Sequence, residues 1–123
     1  MEILQPAAMA APKGHYAPGI KHGGLVYVSG QLPLGADGNV VSGGIETQTQ
    51  CCLENMALIL KEGGGSLGRV LKLNIFISDI AHWPAVNTVV ARLFGEHRPA
   101  RIVVPVGQLN YGCLVEIDAI AFS

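Results

Sequence analysis

Between Gly44 and Glu62 the apolar pattern changes period. Ile45, Thr49, Cys52, Leu53, Met56, Ile59 and Leu60 fall at three- and four-residue steps, one stripe along a helix. Glycine brackets the segment: Gly43 is placed as N-cap with Glu46 at N3, and Gly63-Gly64-Gly65 stops it. The flanking runs are β-branched or alternate, so the stripe needs a sheet to be buried on. The glycines continue to Gly68, but they follow a helix and precede a strand. A phosphate-binding loop requires the reverse order, so none is assigned.

The remaining elements read off in the same way. Leu25-Val26-Tyr27-Val28-Ser29 is a strand that stops at Gly30, and His15 to Gly19 is loop or edge strand because Pro18 lacks a ladder donor. Asp37-Gly38 signals a turn, with Val40-Val41 starting a short returning strand. Val70 to Ile77 alternates, with Leu71, Leu73, Ile75 and Ile77 on one face and Val70, Lys72, Asn74 and Phe76 on the other. Ser78-Asp79 caps a second helix with Pro84 in its first turn. Its stripe is Trp83, Val86, Val90, Leu93 and Phe94, and Gly95 closes it. Ile102 to Val106 and Leu114 to Ala121 complete the strands, the second after an Asn110-Tyr111-Gly112 turn. The expected fold is α+β, a mixed sheet with two helices on one face. Residues 1–13 read as a loose N-terminal arm and 14–123 as a single domain.

The last strand points to a partner. Val115, Ile117, Ala119 and Ala121 suit the face under the helices, leaving Leu114, Glu116, Asp118 and Ile120 on the other. Greasy and acidic residues together are poorly explained by plain exposure to water. Charged residues are 14 % of the chain, well under the about 25 % usual for soluble domains. So few charges must cover roughly 6,000 Å² of surface. With no apolar run near 18 residues, the missing cover is another subunit rather than a bilayer. The net charge is −1 and the eight Lys and Arg are scattered, which excludes a phosphate-tracking nucleic-acid binder. The three cysteines, Cys51, Cys52 and Cys113, lack a C-x-x-C or His-spaced pattern, so zinc is not expected. They read as buried thiols in a reducing cytoplasm, and the acid at Glu2 and broken alanine run up to Ala11 do not resemble a targeting signal.

Two residues stand out for chemistry. Arg101 sits where a Pro99-Ala100 loop enters an uncharged β run. There its planar fork suits a carboxylate through two parallel charge-assisted hydrogen bonds, or else it bonds a local carbonyl. Glu116 lies mid-strand among Leu, Val and Ile; partial desolvation raises such a carboxyl toward a pKa useful for holding or activating water. Its alternative is an ion pair across the sheet, and Asp118 could be the structural acid of the two. Ser29 ends a strand before Gly30, where backbone N–H groups could meet a ligand. Asn87 interrupts an apolar helix stripe and needs a partner for its amide. Tyr16 is a candidate by context. The four histidines show no ligand or triad spacing, and Cys113 has no visible base partner.

Four segments, taken together, resemble the RidA family, also called the endoribonuclease L-PSP family. They are Gly14-His15-Tyr16-Ala17-Pro18, Leu25 to Pro33, Phe94 to Arg101 and Leu114 to Ala121. V-S-G-Q-x-P and R-P-A-R carry the resemblance in combination. It implies a chorismate-mutase-like α+β subunit in a homotrimer with clefts between subunits. The implied activity is cofactor-free hydrolysis of 2-imino and enamine acids such as 2-aminoacrylate to a 2-keto acid and ammonia. On this resemblance Arg101 grips the substrate carboxylate and Glu116 positions the attacking water. Tyr16, Ser29 and Asn87 line the cleft, and Gly30 and Val103 approach the ligand through their backbones. His15, Ala17, Ile102 and Val103 depart from the family pattern and make the cleft more apolar. A non-catalytic 2-keto-acid-binding or chaperone-like trimer and a ribonuclease or translation inhibitor are the other readings; the scattered basic residues argue against the last.

Overall fold

The computed structural model describes residues 1–123. Helix α1 (Ile45–Glu62) forms where the stripe predicts, burying Thr49, Cys52, Leu53, Met56, Ile59 and Leu60. Its N-cap is Gly44 at φ −92°, one residue later than expected. Gly43 instead supplies the turn into the helix at φ +124°, where a Cβ would sit 2.8 Å from Thr47. At the other end the Gly63 N–H reaches the carbonyls of Ile59 and Leu60 at 3.2 and 3.1 Å.

Six strands form one sheet: β1 (Glu2–Leu4), β2 (Gly19–His22), β3 (Leu25–Gln31), β4 (Val70–Ile77), β5 (Ala100–Pro105) and β6 (Val115–Phe122). Their order is β1-β2-β3-β6-β4-β5. Only β4 and β5 are parallel, and the crossover between them carries helix α2 (Trp83–Phe94). The cap expected for the second helix falls one turn early: the Asp79 carboxylate accepts from the Ala81 N–H at 2.8 Å and caps a single 3₁₀ turn, Ile80–His82, while α2 itself starts after His82 with no side-chain cap. Both helices and the alternate strand residues between them make one core of 20 buried side chains.

In β6, Val115, Ile117, Ala119 and Ala121 are buried under the helices while Glu116, Asp118 and Ile120 face the other way, as the alternation requires. In β4 the face assignment fails at one end. Val70 is buried and Leu71 is 46 % exposed, because the β4–β6 register slips between Val70 and Lys72. A one-residue bulge reverses the faces of everything before it. In α2 the buried residues are Val86, Val89, Val90 and Phe94, whereas Trp83 is 38 % exposed and Leu93 only half-buried. The residues read as a loose arm contribute β1, which pairs with β2 and drives Leu4 fully into the core. Val40 makes a lone bridge to Leu34 rather than a returning strand.

The face away from the helices carries no element of this chain. Ile3, Ile20, Tyr27, Ile120 and Lys72 align across β1, β2, β3, β6 and β4 in a single cross-strand row. Ile3, Tyr27, Ile102 and Phe122 are exposed. That is a wide apolar surface for so small a chain.

Candidate active site

The site assembles in two halves. Strand β5 is the edge of the sheet, and Arg101 pairs in register with Leu73, which lies under the helices. Register partners project to the same side, so Arg101 points to the helix face. Its Nη1 donates to Asn87 Oδ1 at 2.9 Å, and its Cζ lies 5.5 Å from the Trp83 ring centroid. Asn87 and Trp83 are four residues apart on α2, hence on one flank of the helix. This answers what Asn87 needs within the stripe: its partner is Arg101. Asn87 takes one of five guanidinium N–H donors, and Trp83 supports the planar face, leaving the rest of the fork for a ligand. Val103 shares the face of Arg101, half-buried against the core. Trp83 is the residue that reading the sequence missed. Its spacing from Asn87 was the available signal, hidden because tryptophan fits a buried stripe equally well.

Glu116 builds the second half. On β6 it pairs with Phe76, which pairs in turn with Val104, so its carboxyl stands among apolar neighbours. Burial raises its pKa first, and the negative charge of Asp118 adds to the rise. Asp118 itself accepts from Asn74 Nδ2 at 2.7 Å across β4–β6 and ties the strands together. Beside Glu116, the β3–β6 register breaks between Val28 and Gln31, and Gly30 sits in the break. A Cβ on Gly30 would lie 3.1 Å from Glu116 Oε2, so glycine keeps that oxygen uncovered. Ser29 is engaged differently from expectation. Its hydroxyl donates to the Ala17 carbonyl at 2.6 Å and its N–H to the Pro18 carbonyl at 2.9 Å. Both donors pin the loop that carries the exposed Tyr16 beside Gly30.

One chain does not bring the two halves face to face. Arg101 and Glu116 project to opposite sides of the sheet. Through β4, Arg101 aligns with Ala119 and Glu116 with Val104, three residues out of step. The cysteines lie outside both halves as reagents: all three are free, and burial pushes each thiol up, away from the nucleophilic thiolate. No cluster of three His, Cys, Asp or Glu is arranged to hold a metal ion, and no helix is long and apolar enough to cross a membrane.

A mixed six-stranded sheet under two helices, with an arginine held at one edge and a partly desolvated acid on the open face, defines a small α+β class. The family model described as Endoribonuclease L-PSP matches residues 6–123, and the chain belongs to that family. It is 42 % identical over 121 residues to the 3-aminoacrylate deaminase RutC of Acinetobacter baylyi, covering 98 % of this chain and 96 % of the relative. The crystal structure of RidA from an Antarctic Psychrobacter superposes with a TM-score of 0.95 at 31 % identity, covering 100 % of both chains. Escherichia coli TdcF with bound serine gives 0.93 at 30 % identity, covering 100 % of this chain and 99 % of the other. Deamination of an enamine acid is thus an activity named within the family.

Proposed function

We propose that this protein hydrolyses reactive 2-imino and enamine acids to 2-keto acids and ammonia, at sites formed where the open face of one copy meets the β5 edge of another in a homotrimer. The observation that carries this reading is the split geometry. An arginine held by Asn87 and Trp83 and an acid with a raised pKa sit on opposite sheet faces, an arrangement that a second copy would complete. The uncovered apolar row supplies the surface for that copy.

The reaction asks for little else. An enamine acid first tautomerises to the imine, gaining a proton at carbon and losing one from nitrogen; the imine carbon is electrophilic, so water adds without a metal or a covalent nucleophile. Arg101 holds the substrate carboxylate and fixes the orientation of the C=N bond. The ionised Glu116 holds a water and takes one of its protons as the oxygen bonds to carbon. The proton passes to nitrogen, and the carbinolamine collapses to the keto acid with ammonia leaving; one water is consumed. The 3-aminoacrylate deaminase among the relatives supports enamine hydrolysis as the reaction; its nitrogen sits on C3 and its product is a 3-oxo acid, so the 2-position is part of the proposal. The three free cysteines suit a reducing compartment, and the cytoplasm is the location this reading proposes.

The test is an assay in which an amino-acid oxidase generates a panel of imino acids and the enzyme must speed release of ammonia. Hydrolysis above the uncatalysed rate is expected. Uncatalysed rates despite tight 2-keto-acid binding would replace the enzyme by a carboxylate-binding trimer.

A further inference from the structure

Tyr16 and Gly30 also line something that the reaction does not use. Between the segment 8–14, the end of β3 and α1 lies a cavity of about 280 Å³, with Met9, Leu32, Leu34 and Leu58 in its wall. An apolar cavity of about 150 Å³ takes a benzene ring, so this one has room for a branched alkyl or an aryl-methyl group. Its polar groups are largely engaged within the protein. Lys13, the one charged residue of the wall, donates to the Gly38 carbonyl at 3.1 Å and lies 5.1 Å from the Tyr111 ring centroid. The Asn55 amide donates to the Leu34 carbonyl at 2.8 Å, and the Gln31 amide to the Ser29 carbonyl at 3.0 Å. What remains for a guest is an apolar wall of Met9, Leu32, Leu34 and Leu58, with Asn110 and the Tyr16 and Tyr111 hydroxyls as the polar groups left over.

We propose that this cavity receives the side chain of the substrate, and that the preferred substrates are 2-imino acids with branched-alkyl or aryl-methyl side chains. The inference rests on the deaminase reading above and assigns its specificity. Gly30 is the link: its Cα faces the Glu116 carboxylate, which holds the water, and the same residue lines the cavity. On this proposal a carbon within reach of that water turns its substituent past Gly30 into the cavity, with Tyr16 beside it. Met9, Leu34 and Leu58 set which side chains fit, and none of them contacts the reacting atoms. Small polar side chains leave the apolar wall unfilled and gain nothing from it.

Leu58 tests this, because it is 39 % exposed on α1 and accepts substitution with little cost to the core. The readout is the ratio of kcat/KM for the leucine-derived imino acid to that for the alanine-derived one. An isobutyl group buries three more carbons than a methyl, each worth about fourfold, so the wild-type ratio should be roughly 10 to 100. Leu58→Trp fills the cavity and should bring the ratio close to one. Leu58→Ala only removes atoms; it should shift preference from isobutyl toward benzyl side chains. A wild-type ratio near one overturns the proposal, as does a Leu58→Trp variant that loses both substrates in proportion. Should the wild type hydrolyse no imine, the deaminase reading fails separately, and binding decides the cavity. The keto acid of leucine should then bind at least tenfold tighter than pyruvate, with the difference lost in Leu58→Trp. Equal affinities would dismiss the cavity as a side-chain site.

Discussion

At Arg101 the charge and its shape can be separated. Lysine keeps the charge but cannot make two parallel bonds to a carboxylate, nor donate to Asn87 while lying flat on Trp83. Losing one or two charge-assisted bonds of about 1.5–3 kcal/mol each predicts that Arg101→Lys drops kcat/KM roughly 10- to 1,000-fold. Steady-state kinetics on one imino acid would show it, and wild-type turnover in the variant would make Arg101 structural. Glu116→Gln separates turnover from binding. The amide cannot take a proton, so turnover should fall by about 10²–10⁴ while affinity for an unreactive 2-keto acid persists. Loss of both together would make Glu116 a support for the assembly. The raised pKa gives this variant a second signature. A carboxyl whose pKa is raised on folding contributes stability at acid pH that is lost as pH rises through the folded value. Glu116→Gln should therefore have the higher Tm at neutral pH, a gap that closes toward acid pH. By the same sign, wild-type turnover should fail on the acid side at a higher pH than an ordinary carboxylate would impose.

Elements place these groups within tenths of an ångström. The break in β3 at Gly30 leaves room for the Glu116 carboxylate, and Gly30 is not at positive φ, so alanine is allowed there by its backbone. Gly30→Ala should keep its Tm yet lose roughly 10- to 100-fold in turnover by displacing the carboxylate. Unchanged kinetics would mean that the oxygen facing Gly30 does no work. At the far edge, Leu4 reaches the core from a strand of three residues. Leu4→Ala should cost about 2–5 kcal/mol by urea unfolding at fixed protein concentration. A cost near zero would return residues 1–13 to a loose arm. That strand shows why parts of the fold were illegible. The α1 stripe, the β4 and β6 runs and the Asp79 cap announce themselves within a few neighbouring residues. β1 is specified by partners some 15 or more positions away, at Gly19 to Lys21, and has no local period. The bulges at Val70 and Gly30 likewise come from the sheet closing, not from composition. In the site, Asn87 declared that it needed a partner, but Arg101 as that partner, and Trp83 with it, required knowing that α2 crosses back onto β5.

For the whole molecule, the opposed half-sites make assembly and activity one question. Sedimentation should give a trimer. On the proposed closed ring each site would take its arginine half from one copy and its acid half from the next, so two different defects can be parted. Arg101→Lys and Glu116→Gln chains, unfolded and refolded together in equal amounts, should recover about one quarter of the wild-type sites by random assortment around the ring. No recovery from verified mixed trimers would put both residues in a site of one chain.

The place of β6 in the sheet order has a consequence for synthesis. β6 lies between β3 and β4, yet comes after every other strand in the chain. Until residues 115–122 leave the ribosome, the nascent chain holds only two unjoined fragments, β1-β2-β3 and β4-β5, each showing a long unpaired edge. Such edges invite pairing with other chains. Helix α1, complete well before then, has nothing to lie across but one of these fragments. The protein thus closes last at the middle of its sheet, as the final strand slides into the gap. The interval before that step is when a nascent chain is most exposed to miscapture by another, and most dependent on chaperones that shield unpaired edges.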